Sequence, residues 1–300
     1  MKFIGKKYSK LEIKNFKWIF LFLLPSLIVF ILFYLNPIVT IFVTSFTKWD
    51  GFNNPEFINV KNYLDMFKDS TFRISLWNLI KWSLLASTVH VAIGVIIAFI
   101  LFYKKPGWRF TRSVYMIPNV ISAAAWAIIY KFIFNDSFGI VNTLIRKINP
   151  DWNVQWFYQS PYAFWAVTFT WLFYSMYVTL VVYNDLLAIP TELTEAAKID
   201  GASSWQINFK VYLPLCRTAI GTGVIMSVTS RISMYEQIVL TTTGGPGDDT
   251  MNLPLILVNS INDLNYGYAN AIGVVMFIIG IATLLLVNKT FKMDRSVYGE

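Results

Sequence analysis

Arg231 is the residue that most needs a chemical reason. It stands within an apolar stretch at about 215–240, where a central charge costs ~2.5–3.5 kcal/mol on insertion scales and must therefore face protein or water. Helical spacing puts Ser227, Arg231 and Met234 on one face and Thr229, Ser233 and Glu236 on another, with Tyr235 beside Glu236. In the preceding apolar stretch Trp171, Tyr174 and Ser175 offer two aromatic faces and a hydroxyl at similar spacing. Saccharides suit such mixtures, because pyranose C–H faces stack on rings while hydroxyls need polar partners. The same residues also fit interhelical hydrogen bonding with a structural Arg231–Glu236 pair, and both readings stand at this level. His90 reads as an interhelical packing residue, and Lys81 and Lys131 as side chains that snorkel to an interface.

Several chemistries are excluded by what accompanies these residues. One cysteine, Cys216, and one histidine, His90, leave nothing from which to build a disulfide framework or a Cys/His metal site. No G-x-x-x-x-G-K-[ST] phosphate loop occurs; Gly244-Gly245-Pro246-Gly247 lacks both the lysine and the strand context. ATP hydrolysis is thus not expected of this chain.

The segment 188–214 carries the most local information. Pro190 suits a first helical turn, and Glu192 and Glu195 favour the positive end of that helix dipole. Gly201 is placed to end the helix in the left-handed conformation. Ser203 and Gln206, three apart, form a capping-box pattern that starts a second short helix. Pro214 closes the unit at the start of the next apolar stretch. Ala196, Ala197 and Ala202 leave the backbone open to close approach, while Ile199, Trp205, Ile207 and Phe209 are too apolar to lie bare in water. The pattern predicts a helix–turn–helix that docks against another protein.

These pieces must be held by membrane helices. The chain is 56% hydrophobic and 14% charged, against roughly 25% charged in soluble proteins, and its mean hydropathy is +0.52. Apolar stretches long enough to span, at ~20 residues each, run at about 17–43, 77–103, 113–134, 162–187, 215–240 and 268–289. The net charge of +8 sits on their flanks, which marks orientation and not nucleic-acid binding. Lysines crowd the N-terminal tail, and Lys104, Lys105, Arg109 and Arg112 fill the second connection. The fifth connection has no Lys or Arg but holds Asp248, Asp249 and Asp263. Both termini are therefore expected in the cytoplasm. The expected organisation is a basic tail at 1–17, a first membrane helix at 18–43, an extracytoplasmic connection at 44–76, a core of five further helices at 77–289 and a tail at 290–300. Trp18, Trp49, Trp77, Trp82, Trp108, Trp152, Trp156 and Trp165 are expected in an interfacial belt facing lipid headgroups. Residues 59–76 predict an outer amphipathic helix with Tyr63, Met66 and Phe67 on one side, and 135–160 a short helix followed by a Trp-containing loop.

Glu195-Ala196-Ala197, Gly201 and Leu213-Pro214, with Asp200, Ala202 and Phe209, resemble the EAA loop of binding-protein-dependent ABC importer permeases in its carbohydrate-branch form. Val211 stands where that branch usually has isoleucine. Tyr235-Glu236, then Leu240 to Pro246 and Thr250, resemble the segment ending in Gly-Gly-Pro of the same sugar permeases, and Gly267-Tyr268-Ala269 with Ala271 resembles their G-Y-A-x-A segment. The resemblance covers nearly the whole chain and extends to maltose-type and glycerol-3-phosphate-type permeases.

It implies an all-α membrane protein with the six-helix type I ABC importer permease fold, in a bacterial or archaeal inner membrane. Glu195, Ala196, Ala197, Asp200, Gly201 and Ala202 would form the element that couples to a cytoplasmic ATPase. Substrate would pass Trp171, Tyr174, Ser175, Ser227, Arg231, Tyr235 and Glu236. The implied partners are a second, homologous permease chain, an ATPase dimer carrying ATP and Mg, an extracytoplasmic sugar-binding protein and membrane lipid, with no cofactor in this chain and no nucleic acid. The cargo would be a sugar or oligosaccharide, with glycerol-3-phosphate or another small polar solute as the alternative. An ion-gradient-driven transporter would instead call for intramembrane carboxylates and an inverted repeat, for which Glu236 alone speaks.

Overall fold

Among the described residues of the computed structural model, four helices are long and apolar enough to cross a bilayer: Trp18–Thr44, Ser70–Phe102, Tyr162–Ala188 and Tyr266–Phe291. The structure describes residues 10–116 and 121–293. A 27-residue helix such as Trp18–Thr44 reaches about 40 Å at a 1.5 Å rise, enough for a ~30 Å hydrocarbon core with some tilt. The apolar pair Ser204–Leu215 and Arg217–Ile232, meeting at 66°, makes a fifth span when the two are taken together, with its second member in the bundle and its first leading out to the 191–207 segment. The remaining apolar stretch, at 113–134, falls on helices Trp108–Met116 and Ala123–Ile133, with 117–120 outside the described residues. Among the described residues, each of the six sequence stretches thus falls mainly on helix.

Local chemistry sets most boundaries. Pro37 lies in the first turn of the helix Asn36–Thr44 and follows a widened π-turn at Ile31–Leu35, so its missing N–H costs little. The second span begins at Ser70, because Asp69 caps it by accepting from the Thr71 amide. Before it, strands Thr47–Lys48 and Glu56–Phe57 pair antiparallel and the predicted outer helix forms at Lys61–Lys68. That helix turns Met66 and Asn62 inward, leaving Phe67 exposed. Asn62 fixes it by donating to the carbonyls of Ser45 (2.8 Å) and Thr47 (2.9 Å).

Helices in lipid gain nothing by hiding apolar surface from water, so they associate where small residues permit close packing. Val178 of the fourth span lies between Gly94 of the second and Gly223 of the fifth. A Cβ on Gly94 would sit 2.7 Å from the Val178 Cβ, and one on Gly223 would sit 3.0 Å from a Val178 methyl. Gly94→Ala is expected to cost about 1–3 kcal/mol through overpacking. Adding Val178→Ala should recover much of it, read as the thermal midpoint of the purified protein; additive losses would show that this contact is not limiting.

One expected belt residue lies elsewhere. Trp82 is fully buried, stacked on Phe164 with ring centroids 5.1 Å apart, and its indole N–H donates to Thr168 Oγ1 at 2.9 Å. A polar partner inside the bundle draws it in, where the sequence placed it at the membrane interface.

Candidate functional site

Two apolar runs that read as continuous helices are broken. The fourth span divides into Tyr162–Leu172 and Met176–Ala188, and the fifth ends at Ile232 before a short helix at Glu236–Thr241. Irregular backbone at membrane depth survives only where protein satisfies its polar groups or where it lines a cavity. Both conditions hold here. His90 Nδ1–H donates to the Leu172 carbonyl (3.0 Å), Tyr115 O–H to the Phe173 carbonyl (2.8 Å) and the Trp126 indole to the Thr170 carbonyl (2.8 Å). The Ser175 amide donates to the Tyr115 oxygen at 3.1 Å. At the second break, Asn252 Nδ2 donates to the Met234 carbonyl.

A cavity of about 420 Å³ opens between the two breaks. Trp171, Tyr174, Ser227 and Arg231 line it together with His90, Trp126, Tyr177, Ser230 and Gln237. The Arg231 guanidinium lies 4.2 Å from the centroid of the Trp171 ring, a cation–π geometry. Its Nη1–H points to Met234 Sδ at 3.4 Å, and Nη2–H donates to Ser230 Oγ at 3.0 Å.

Four sequence expectations meet a different geometry. Tyr174 and Ser175 lie in the break, so helical spacing does not relate them to Trp171; Ser175 is buried against Tyr115 and does not line the cavity. Thr229, Ser233 and Glu236 share no helical face, because the helix ends at Ile232. Glu236 is exposed, and Arg231 rests on Trp171 where an Arg231–Glu236 pair was the alternative. Tyr235 and Glu236 lie off the cavity, where Gln237 takes the place on its wall. Tyr115, Trp126 and Gln237 were missed; the partners of Tyr115 and Trp126 come from distant parts of the chain, and Gln237 reaches the cavity only because the fifth span breaks before it. His90 packs between helices as expected. Lys81 holds its ammonium 4.1 Å from the Phe164 ring centroid.

A wider cavity, of about 610 Å³, opens beside the first turns of the second span, between Trp77, Lys81, Trp165 and Asp249. The segment after Gly-Gly-Pro reaches it through Asp249 and is sewn to the second span: Thr71 Oγ1 donates to Asp248 Oδ2 at 2.7 Å, and Asn78 Nδ2 donates to the Asp249 and Met251 carbonyls, each at 3.0 Å. Within the turn, Thr242 and Thr250 hydroxyls meet at 2.6 Å.

The helix–turn–helix forms as its residues dictate. Its first helix is Thr191–Ile199, with Pro190 at the N-cap. Gly201 has φ +76°, the Ala202 amide donates to the Ala197 carbonyl (2.9 Å) and the Gly201 amide to the Lys198 carbonyl (3.0 Å), which together make a Schellman cap. Ser203 and Gln206 then form the full capping box of Ser204–Ile207. Tyr212 binds the unit to the bundle: its hydroxyl meets Thr194 Oγ1 at 2.9 Å and its ring lies 5.3 Å, edge to face, from Phe102 of the second span. Tyr103 O–H donates to Asn208 beside it. Glu195, Ala196, Asp200 and Gly201 are exposed, with Ala197 and Ala202 half-buried under the turn. Ile207 is buried, but Ile199 and Trp205 are 86% and 71% exposed, and Trp205 packs on Phe209 with centroids 4.5 Å apart. This end of the molecule therefore presents a rigid apolar ridge.

Comparison with known proteins agrees with this architecture. The chain is 29% identical over 95% of its length, and 97% of the relative's, to the probable starch degradation products transport system permease protein AmyD of Thermoanaerobacterium thermosulfurigenes. It is 32% identical over 92% of its length, and 96% of the relative's, to the probable ABC transporter permease protein YurN of Bacillus subtilis. The fold matches a chain in the crystal structure of a bacterial ABC transporter that imports the acidic polysaccharide alginate, with a TM-score of 0.77 at 19% identity over 93% of this chain and 96% of that one. Residues 90–291, which include both breaks, the Gly-Gly-Pro turn and the helix–turn–helix, match the family described as "Binding-protein-dependent transport system inner membrane component". With that match across most of its length, this chain belongs to the family of binding-protein-dependent ABC importer permeases.

Proposed function

We propose that the chain is one of two permease subunits of an ATP-driven sugar importer in a bacterial or archaeal cell membrane, with both termini in the cytoplasm. The observation that carries this reading is the capped helix–turn–helix at 191–207, whose apolar residues Ile199 and Trp205 stand exposed on a rigid support. Such a ridge fits a cleft on a cytoplasmic ATPase dimer, which would hold the ATP and Mg. Glu195, Ala196, Ala197, Asp200, Gly201 and Ala202 supply the contact and the hinge. A second, homologous permease chain would bring the second ridge and the other wall of the path, and an extracytoplasmic binding protein would deliver cargo to the outer cavity. Relatives described as serving starch degradation products and multiple sugars support a sugar as cargo, and so do the aromatic and hydroxyl groups of the inner cavity.

The complete complex in proteoliposomes tests it. Sugar uptake should require ATP and the binding protein and should persist when the proton gradient is collapsed. Uptake without ATP would overturn the reading, and uptake of glycerol-3-phosphate with no sugar uptake would replace the cargo.

A further inference from the structure

The inner cavity has a neighbour on the far side of Met176. A second cavity, of about 100 Å³, opens there between Leu101, Arg112, Tyr115, Thr179, Tyr183 and Asn184. Met176 lines both. Tyr174, on the wall of the first, packs against Tyr115, on the wall of the second, with ring centroids 5.8 Å apart. The second cavity has about a quarter of the volume of the first, so the passage is narrow in this conformation. It lies along the fourth span toward Ala188, the end that leads into the helix–turn–helix. Its rim is polar: Arg112 and Asn184 are exposed and Tyr183 is half-buried. Among the described residues, the Arg112 guanidinium, the Tyr183 hydroxyl and the Asn184 amide form no hydrogen bond. Polar groups within a span are costly and mark paths, and these three offer both donors and acceptors, as a sugar hydroxyl requires.

Met176 has the properties of a movable partition. It is the first residue of the helix after the break and is 8% exposed. The backbone beside it is tied down, because the Ser175 amide donates to the Tyr115 oxygen at 3.1 Å. Movement is therefore left to the side chain, which is unbranched and has three rotatable bonds. Its polar contact is weak: Tyr174 O–H donates to Met176 Sδ at 3.1 Å, and a thioether is a poor acceptor. Such a contact holds the side chain in place yet is released at small cost. We propose that the cleft at Arg112, Tyr183 and Asn184 is the exit site for cargo leaving the inner cavity, and that Met176 is the gate between the two, latched by the Tyr174 hydroxyl. This rests on the import reading above and gives its path an inner end.

Thiol labelling of the complete transporter in oriented proteoliposomes tests it without ATP or cargo. Cys216→Ala with Ser230→Cys places a thiol on the inner-cavity wall, and a membrane-impermeant thiosulfonate is added on the side that carries the helix–turn–helix. Modification at 230 is followed by mass spectrometry. Met176→Ala should speed it at least about tenfold. Tyr174→Phe and Met176→Leu should each speed it severalfold, and the two together no more than either alone, because both break the same bond. If Met176→Ala fails to assemble, Met176→Val serves the same comparison. Asn184→Cys should react from that side whether or not Met176 is present. A rate at 230 unchanged by Met176→Ala would overturn the gate, and additive effects of Tyr174→Phe and Met176→Leu would overturn the latch. An Asn184→Cys thiol that is inert from that side would show that the cleft faces lipid and would overturn the exit site. Labelling as expected in a complex that takes up no sugar with ATP would keep the gate and remove the import reading.

Discussion

Replacing Gly201 with valine is expected to lower ATP-driven uptake by about tenfold or more, a coupling loss in the usual range, while the complex still assembles. At φ +76° a β-branched residue is strained, at roughly 1–2 kcal/mol. A Cβ there would touch nothing within 4 Å, so the penalty is conformational and not steric. The chain relieves it by giving up the Schellman bonds from Ala202 to Ala197 and from Gly201 to Lys198, which changes the angle between the two short helices. Those helices would carry motion from the ATPase, through Tyr212 against Phe102, to the second span. Loss of the angle decouples the parts without unfolding them. Gly201→Asn tolerates the left-handed conformation and should retain most uptake. Full activity in the valine variant, or equal damage from asparagine, would defeat the conformational argument. Glu195→Ala, which leaves the cap alone, should combine with Gly201→Val to abolish uptake.

The helix–turn–helix was legible because its signals are local: a proline, a glycine and a Ser–Gln pair at fixed offsets specify caps whatever surrounds them. The breaks were not legible. Trp171 to Met176 holds neither Gly nor Pro, and by composition it continues a helix. What opens it is competition for its carbonyls by His90, Tyr115 and Trp126, and such long-range hydrogen bonds leave no periodic mark. Arg231 was legible as a residue in need of a partner, and its face with Ser227 could be counted along one helix. That Trp171, from another helix, would lie beneath it depends on how the two spans cross. Trp82 misled for the related reason that an indole serves equally at an interface or beside a buried hydroxyl.

The Gly-Gly-Pro turn offers a second large effect. Asn78 is 1% exposed, and its amide donates to two carbonyls of the turn, those of Asp249 and Met251. Asn78→Leu keeps the number and branching of the side-chain heavy atoms but leaves both carbonyls facing an apolar side chain. With each orphaned group worth about 1–3 kcal/mol, the expected loss is about 2–4 kcal/mol. Thr71→Val breaks only the bond to the Asp248 carboxylate, which is half-buried and retains access to water, so it should cost less than about 1.5 kcal/mol. The comparison separates a tether that holds the turn from one that decorates it. Both variants would be followed by the thermal midpoint and by proteolysis within 244–250. If the turn is held mainly by its own Thr242–Thr250 bond, Asn78→Leu will melt like Thr71→Val and the turn will stay resistant to cleavage. If Asn78 is the anchor, the turn is cut well before the helices melt, and uptake falls because the cavity beside the second span loses Asp249 from its lining.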